Sequence, residues 1–197
     1  MQVDISPLRF MIADDSPHMR RILGSALHGF GVRTLYEARD GAEALDLFLR
    51  HNPDVVVVDW VMSGLSGVEF TRRIRVPGSK PNPYVPIIML TAHAERARVL
   101  QAREAGVTEF LCKPVSAKRL YERILNIVLR PRPFIQTNTF FGPDRRRHHE
   151  GSFPGLGRRK GEPGHVGGGL RTEVIDLDEF EAESFGGPAP KGQAKSR

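Results

Sequence analysis

Along the first two thirds of the chain, short apolar runs alternate with stretches whose apolar residues recur every three or four positions. The run LRFMIA at 8–13 has strand length. Ser16 and Pro17 then stand where an N-cap and a first-turn proline belong. Met19, Ile22, Leu23, Ala26 and Leu27 follow at helical spacing until Gly29 and Gly31 stop the helix. The rhythm repeats with a strand over 32–38 and a helix from Asp40, with Glu43 as its capping-box partner, to His51. A strand over 54–59 and a helix around Val68, Phe70 and Ile74 come next. The proline-rich loop PGSKPNPYVP leads into a strand over 86–91. A helix over 94–105 closed by Gly106, a strand over 108–112, and a helix from Ser116 to about Arg130 complete the series.

Five strand–helix units predict an α/β fold: a doubly wound (βα)5, flavodoxin-like parallel sheet covered by helices on both faces. Right-handed crossovers leave few topologies, of which the strand order 2-1-3-4-5 is the expected one. The functional crevice then lies at the carboxyl ends of the strands, near the switch point. The stretch VVVVDW, 55–60, sharpens that expectation. Four β-branched residues suit a central strand buried on both faces. They run straight into Asp59, where an unpartnered carboxylate would be costly.

Composition divides the chain. Residues 131–197 hold 12 of the 20 Gly and 7 of the 15 Pro, near the level of low-complexity sequence. They are expected to form a flexible, disordered C-terminal tail, leaving 7–130 as the folded domain. Net charge is +6 over 197 residues, +4 before residue 131 and +2 after it, which does not by itself imply nucleic acid. No apolar run approaches the ~20 residues of a membrane span, the N-terminus lacks a signal-peptide pattern, and the one cysteine, Cys112, precludes an internal disulfide. Together these predict a cytoplasmic protein, with Cys112 a small hydrophobe.

The residues just past the strands carry the candidate chemistry. They are Asp14 and Asp15 after the first, Asp59 after the third, Thr91 after the fourth and Lys113 after the fifth. The expected topology brings them to one crevice. Three carboxylates there need positive charge, each pair at ~4 Å costing on the order of 4 kcal/mol at an effective dielectric of 20. Lys113 is one source. A hard divalent cation is another: Mg2+, Mn2+ or Ca2+. Asp59, alone on its strand, is then placed to be a nucleophile toward phosphorus.

IADDSP (12–17), VVVVDWVMSGLSG (55–67), IIMLTA (87–92) and FLCKP (110–114) together resemble the receiver domain of bacterial two-component response regulators, of the chemotaxis-regulator kind. The resemblance implies that Asp59 accepts a phosphoryl group from a histidine kinase or phosphotransfer protein. It implies Mg2+ held by Asp14, Asp15, Asp59 and the backbone carbonyl of Val61. Thr91 and Lys113 contact the phosphoryl group, and Thr91 and Phe110 form the switch. The resemblance further implies a cis Lys113–Pro114 peptide. The protein is then no enzyme beyond its own phosphorylation and dephosphorylation. One departure is Met62-Ser63, where the family usually has Met-Pro. Haloacid dehalogenase phosphatases also use a strand-end aspartate, but they place Asp-x-Asp-x-Thr where this chain has Asp-Asp-Ser-Pro.

His18, His51 and His93 show no ligand spacing, although His93 and Val61 both fall on the rim of the site. An apolar Val61 would offer attacking water no hydrogen bond, predicting a long-lived phosphoryl adduct. In the tail, residues 140–147 (FFGPDRRR) and 174–180 (VIDLDEF) read as short linear motifs. His148-His149 lacks further ligands. Three arginines are too few for tight nucleic-acid binding, and no helix-turn-helix pattern is present. The expected partners are therefore a downstream protein, met by the face of the fourth and fifth helices or by the tail, and a kinase, which the resemblance places on the first helix and the loop after the fifth strand. A second copy of the chain is a further partner class. A phosphate-independent adaptor on the same fold and a receiver with a nucleic-acid-binding tail are the competing functions.

Overall fold

The computed structural model describes residues 3–92 and 95–144. Five parallel strands form the sheet: β1 (Arg9–Ala13), β2 (Thr34–Ala38), β3 (Val55–Asp59), β4 (Ile87–Thr91) and β5 (Glu109–Cys112). Their order is β2-β1-β3-β4-β5, as the alternating pattern predicts. The helices between and after them are α1 (Pro17–Gly29), α2 (Gly41–His51), α3 (Gly67–Ile74), α4 (Arg96–Ala105) and α5 (Ala117–Leu129).

Every residue of β3 and β4 is buried, which is why these strands read as continuous apolar runs rather than alternating ones. Side chains of opposite parity feed two cores. Met11, Val56, Val58, Ile87 and Met89 pack under α2, α3 and α4. Phe10, Ile12, Val57, Ile88 and Leu90 pack under α1 and α5.

The helix starts follow their caps. Ser16, Asp40, Ser66 and Ser116 each accept backbone N–H groups of their first turns. The reciprocal capping box is at Ser66 and Glu69, not at Asp40. Glu43 instead accepts from the Arg39 N–H at 2.8 Å and pairs with the Arg39 side chain.

Composition predicts a domain that ends at residue 130, but the packed chain continues to Asp144. Two short antiparallel strands, β6 (Phe134–Gln136) and β7 (Phe141–Pro143), form a hairpin. Phe134, Phe141 and Tyr84 meet edge-on or tilted, with ring centroids 5.2 to 5.7 Å apart. Phe134 also faces the Arg75 guanidinium at 5.0 Å. Arg75 itself is buried and donates to the carbonyls of Gly106, Pro83 and Val85. Burial lowers its pKa to about 9, which still leaves it charged at neutral pH, and the three carbonyls replace the lost hydration of that charge. Phe140 and Phe141 are therefore core residues of this chain, not a free recognition motif. Glycine and proline content hid them, because composition does not register two aromatics with a receptive surface waiting elsewhere in the sequence. Residues 145–149 and the 174–180 motif lie outside the described residues.

Candidate functional site

β1 and β3 run side by side, with Ala13 level with Val58. The chain leaving β1 and the tip of β3 therefore emerge together. Asp14 is fully buried, Asp59 nearly so, and Asp15 exposed. One carboxylate oxygen from each lies within 4.8 Å of the others. Among the described residues this is the one such acidic group.

Lys113 completes the charge arrangement. It follows β5, and its backbone N–H donates to the Thr91 carbonyl at 2.8 Å, which extends the ladder past the strand end. The Lys113–Pro114 peptide is cis. The Lys113 Nζ lies 2.9 Å from Asp59 Oδ1 and 3.0 Å from Asp14 Oδ2. Burial pushes the Asp59 pKa up, and Asp14 adds to this, while Lys113 pulls in the opposite direction without cancelling the rise. Burial alone would lower the Lys113 pKa, but its bonds to Asp59 and Asp14 outweigh it and raise the value.

One ammonium among three carboxylates leaves a formal charge of −2 in a partly desolvated crevice. A hard divalent cation fits that deficit and the all-oxygen donor set. Asp14, Asp15 and Asp59 are the residues able to hold one.

The remaining sequence-picked residues surround this group. Thr91 is buried at the end of β4, and Leu90, its neighbour, is level with Asp59. Phe110 lies in β5 level with Met89 and packs half-buried against the core under α3 and α4. Val61, two residues beyond Asp59, is 61% exposed. The β3–α3 loop closes without the proline missing at Ser63: Leu65 N–H donates to the Ser63 carbonyl, and Gly67 N–H to that of Trp60. His93 lies outside the described residues. His18 and His51 join no acidic or metal-binding group: His18 is exposed on α1, and His51 stacks on Tyr36.

Two supporting residues escaped the sequence reading. Arg20 donates to the Asp14 carbonyl at 2.7 Å and lies 3.6 Å from Glu37, so it ties the turn after β1 to the end of β2. Nothing in its spacing separates it from a solvated helix arginine. Gly67 opens α3 directly against Asp59. A Cβ there would collide with the Asp59 carbonyl oxygen. Its signal was a glycine in the first turn after a serine cap.

Comparison with known proteins agrees with this geometry. The family profile described as the response regulator receiver domain matches residues 10–125. The chemotaxis protein CheY of Pseudomonas aeruginosa is 35% identical over 120 residues, spanning 61% of this chain and 95% of that protein. CheY-3 of Vibrio cholerae is 34% identical over 117 residues, 59% of this chain and 88% of that one. Among solved structures, the signal receiver domain of NarL from Mycobacterium tuberculosis superposes with a TM-score of 0.57 at 31% identity, covering 62% of this chain and 97% of that one. The receiver domain of the sensor histidine kinase PA1611 from Pseudomonas aeruginosa, with a magnesium ion coordinated in its active-site cleft, gives 0.54 at 28%, covering 60% and 94%.

Proposed function

The chain belongs to the response regulator receiver-domain family, and we propose that it is a phosphorylation switch whose acceptor is Asp59. The observation that carries this is the gathering of Asp14, Asp15 and Asp59 within 4.8 Å, with Lys113 bridging two of them. Asp59 alone is both at the tip of the central strand and beside the ammonium.

In the forward step an Asp59 carboxylate oxygen attacks the phosphorus of a phosphohistidine on a sensor kinase or phosphotransfer protein. The P–N bond breaks, and the imidazole nitrogen takes the electron pair and a proton. Asp14, Asp15, Asp59 and the Val61 backbone carbonyl would hold Mg2+, which when bound neutralises charge on the phosphoryl oxygens. The relative with magnesium in its cleft supports that choice of ion. Lys113, already 2.9 Å from Asp59, pairs with a second phosphoryl oxygen, and the Thr91 hydroxyl donates to a third. In the resetting step water attacks the phosphorus, the bond between the Asp59 carboxylate oxygen and phosphorus breaks, the water's proton passes to the departing phosphate or to solvent, and inorganic phosphate leaves with the carboxylate restored. The protein turns over no other substrate.

Drawing Thr91 toward the phosphoryl group vacates space into which Phe110 rotates, and this biases an existing equilibrium of the α4–β5 face. Output is by protein contact through the α4 and α5 face or the chain beyond Asp144, in the cytoplasm. Among the described residues no helix is long and apolar enough to cross a membrane.

The test is the intact mass of the full chain after treatment with a small-molecule phosphoryl donor and Mg2+. One phosphoryl group is expected on the wild type and none on Asp59→Asn. An unmodified wild type would instead favour a phosphate-independent adaptor.

A further inference from the structure

The two helices on one face of the sheet, α1 and α5, leave an open groove of about 560 Å3 between the first half of α1 and the entry to α5. Its floor is apolar, with Ile22, Ala26, Val115 and Leu120, and Ile22 remains 39% exposed. His18 and Arg21 line it as well, both exposed, and no carboxylate lines it. The exposed carboxylate on the neighbouring turn of α5, Glu122, faces Lys118 at 4.0 Å. The groove adjoins the acidic site: His18 is three residues past Asp15, and Val115 two past Lys113.

We propose that this groove docks the chain's own acidic and apolar segment, residues 173–185, and that the docked segment obstructs approach of a phosphodonor protein to Asp59. The obstruction rests on the acceptor reading above; the docking does not. Residues 173–183 carry six carboxylates and no Lys or Arg, interleaved with Val174, Ile175, Leu177 and Phe180. That is the complement of an apolar floor whose one charged lining residue is Arg21. The preceding residues, 145–171, carry seven Lys or Arg against two Glu, so Arg21 and the α5 entry would repel them.

The connector is long enough. It spans 28 residues from Asp144 to Glu173, roughly 90 Å fully extended and on the order of 30 Å as a coil. Tethering of this kind gives an effective concentration approaching the millimolar range, so a contact too weak to matter between molecules is substantially occupied within one.

The experiment uses the full chain with Cys112→Ser and Ser184→Cys, a nitroxide on the new thiol, and amide signals read by paramagnetic relaxation. Signals of residues 18–26 and 115–120 should lose most of their intensity. They should recover in about 1 M salt, where charge attraction is screened within ~3 Å, and also in Arg21→Glu. Broadening of another surface, no broadening, or broadening that appears only on mixing labelled with unlabelled chains would overturn the proposal. Replacing Asp176, Asp178 and Glu179 by amides should speed transfer from a phosphohistidine protein at least about twofold, the gain when the Kd equals the local concentration. Labelling by a small phosphoryl donor should stay unchanged, and an unchanged protein-donor rate would overturn the obstruction. Failure of the small donor to label Asp59 would sink the acceptor reading and leave the docking result standing.

Discussion

Removing the Lys113 ammonium is the perturbation that weighs the charge arrangement. In Lys113→Met the Asp14 and Asp59 carboxylates, 0% and 9% exposed, lose their shared counter-ion. Each contact near 3 Å is worth about 5 kcal/mol of gross Coulomb attraction at an effective dielectric of 20. Part of that is returned because the lysine no longer has to be desolvated. Breaking one side of a buried pair typically leaves a net loss of 3 to 5 kcal/mol. Lys113 is one-fifth exposed and Asp59 can protonate, which places the expectation near the lower end, about 3 kcal/mol at neutral pH without metal.

Urea unfolding followed by Trp60, the one tryptophan of the chain, reads this as a midpoint drop of roughly 1.5 M for an m-value of about 2 kcal/mol/M. Two dependences separate charge from packing. Mg2+ should rescue the variant more than the wild type, because it supplies the missing positive charge. Acid should also narrow the gap. The Asp59 pKa is raised in the fold, so its stabilising contribution is complete below the unfolded value and lost as pH rises through the folded one. Removing Lys113 moves that folded value higher still and deepens the loss. The deficit is therefore larger at pH 7.5 than at pH 5. Equal deficits with and without Mg2+ and at both pH values would refute the reasoning and leave only lost methylene packing.

Three further outcomes are expected. Phe141→Ala should cost about 3 kcal/mol in the same unfolding assay, against less than about 0.5 for the exposed Leu49→Ala; equal effects would show that the hairpin does not brace the domain. Burial raises the Glu109 pKa, with Arg132 and Arg123 offsetting part of the rise, so Arg132→Gln should raise it further. Stability should then fall more between pH 4.5 and 7.5 than in the wild type, by less than about 1 kcal/mol for a pair whose arginine is 42% exposed. A fall no greater than the wild type's would deny the pairing. Val61→Asn should shorten the life of the phosphoryl group in excess Mg2+, because an amide at that exposed rim can orient attacking water; a slower variant would contradict the idea.

The sheet was legible in the sequence because burial on both faces turns its central strands into short apolar runs, while caps such as Ser16, Asp40 and Ser116 mark helix starts by residue type. The acidic site was legible for a related reason. Once the strand order is known, the residue just past each strand has a place in space, and Asp14, Asp59 and Lys113 need nothing more than that to meet. What stayed hidden depends on contacts without periodicity. Arg20 reaches the Asp14 carbonyl by a rotamer that spacing does not encode. Arg75 looks like one of three similar arginines in RRIR, yet it alone is buried on backbone carbonyls. The hairpin strands have three residues each, too short for an alternation to register.

The central claim is that carboxylates distant in the chain share one divalent ion that makes Asp59 a phosphoryl carrier. A crystal structure of the full chain grown with Mg2+ and a trifluoroberyllate phosphoryl mimic tests it most directly. The account predicts one ion about 2.1 Å from carboxylate oxygens of Asp15 and Asp59, with the mimic on Asp59 and Lys113 turned to it. An ion elsewhere, or a bare Asp59 still paired with Lys113 under those conditions, would contradict it.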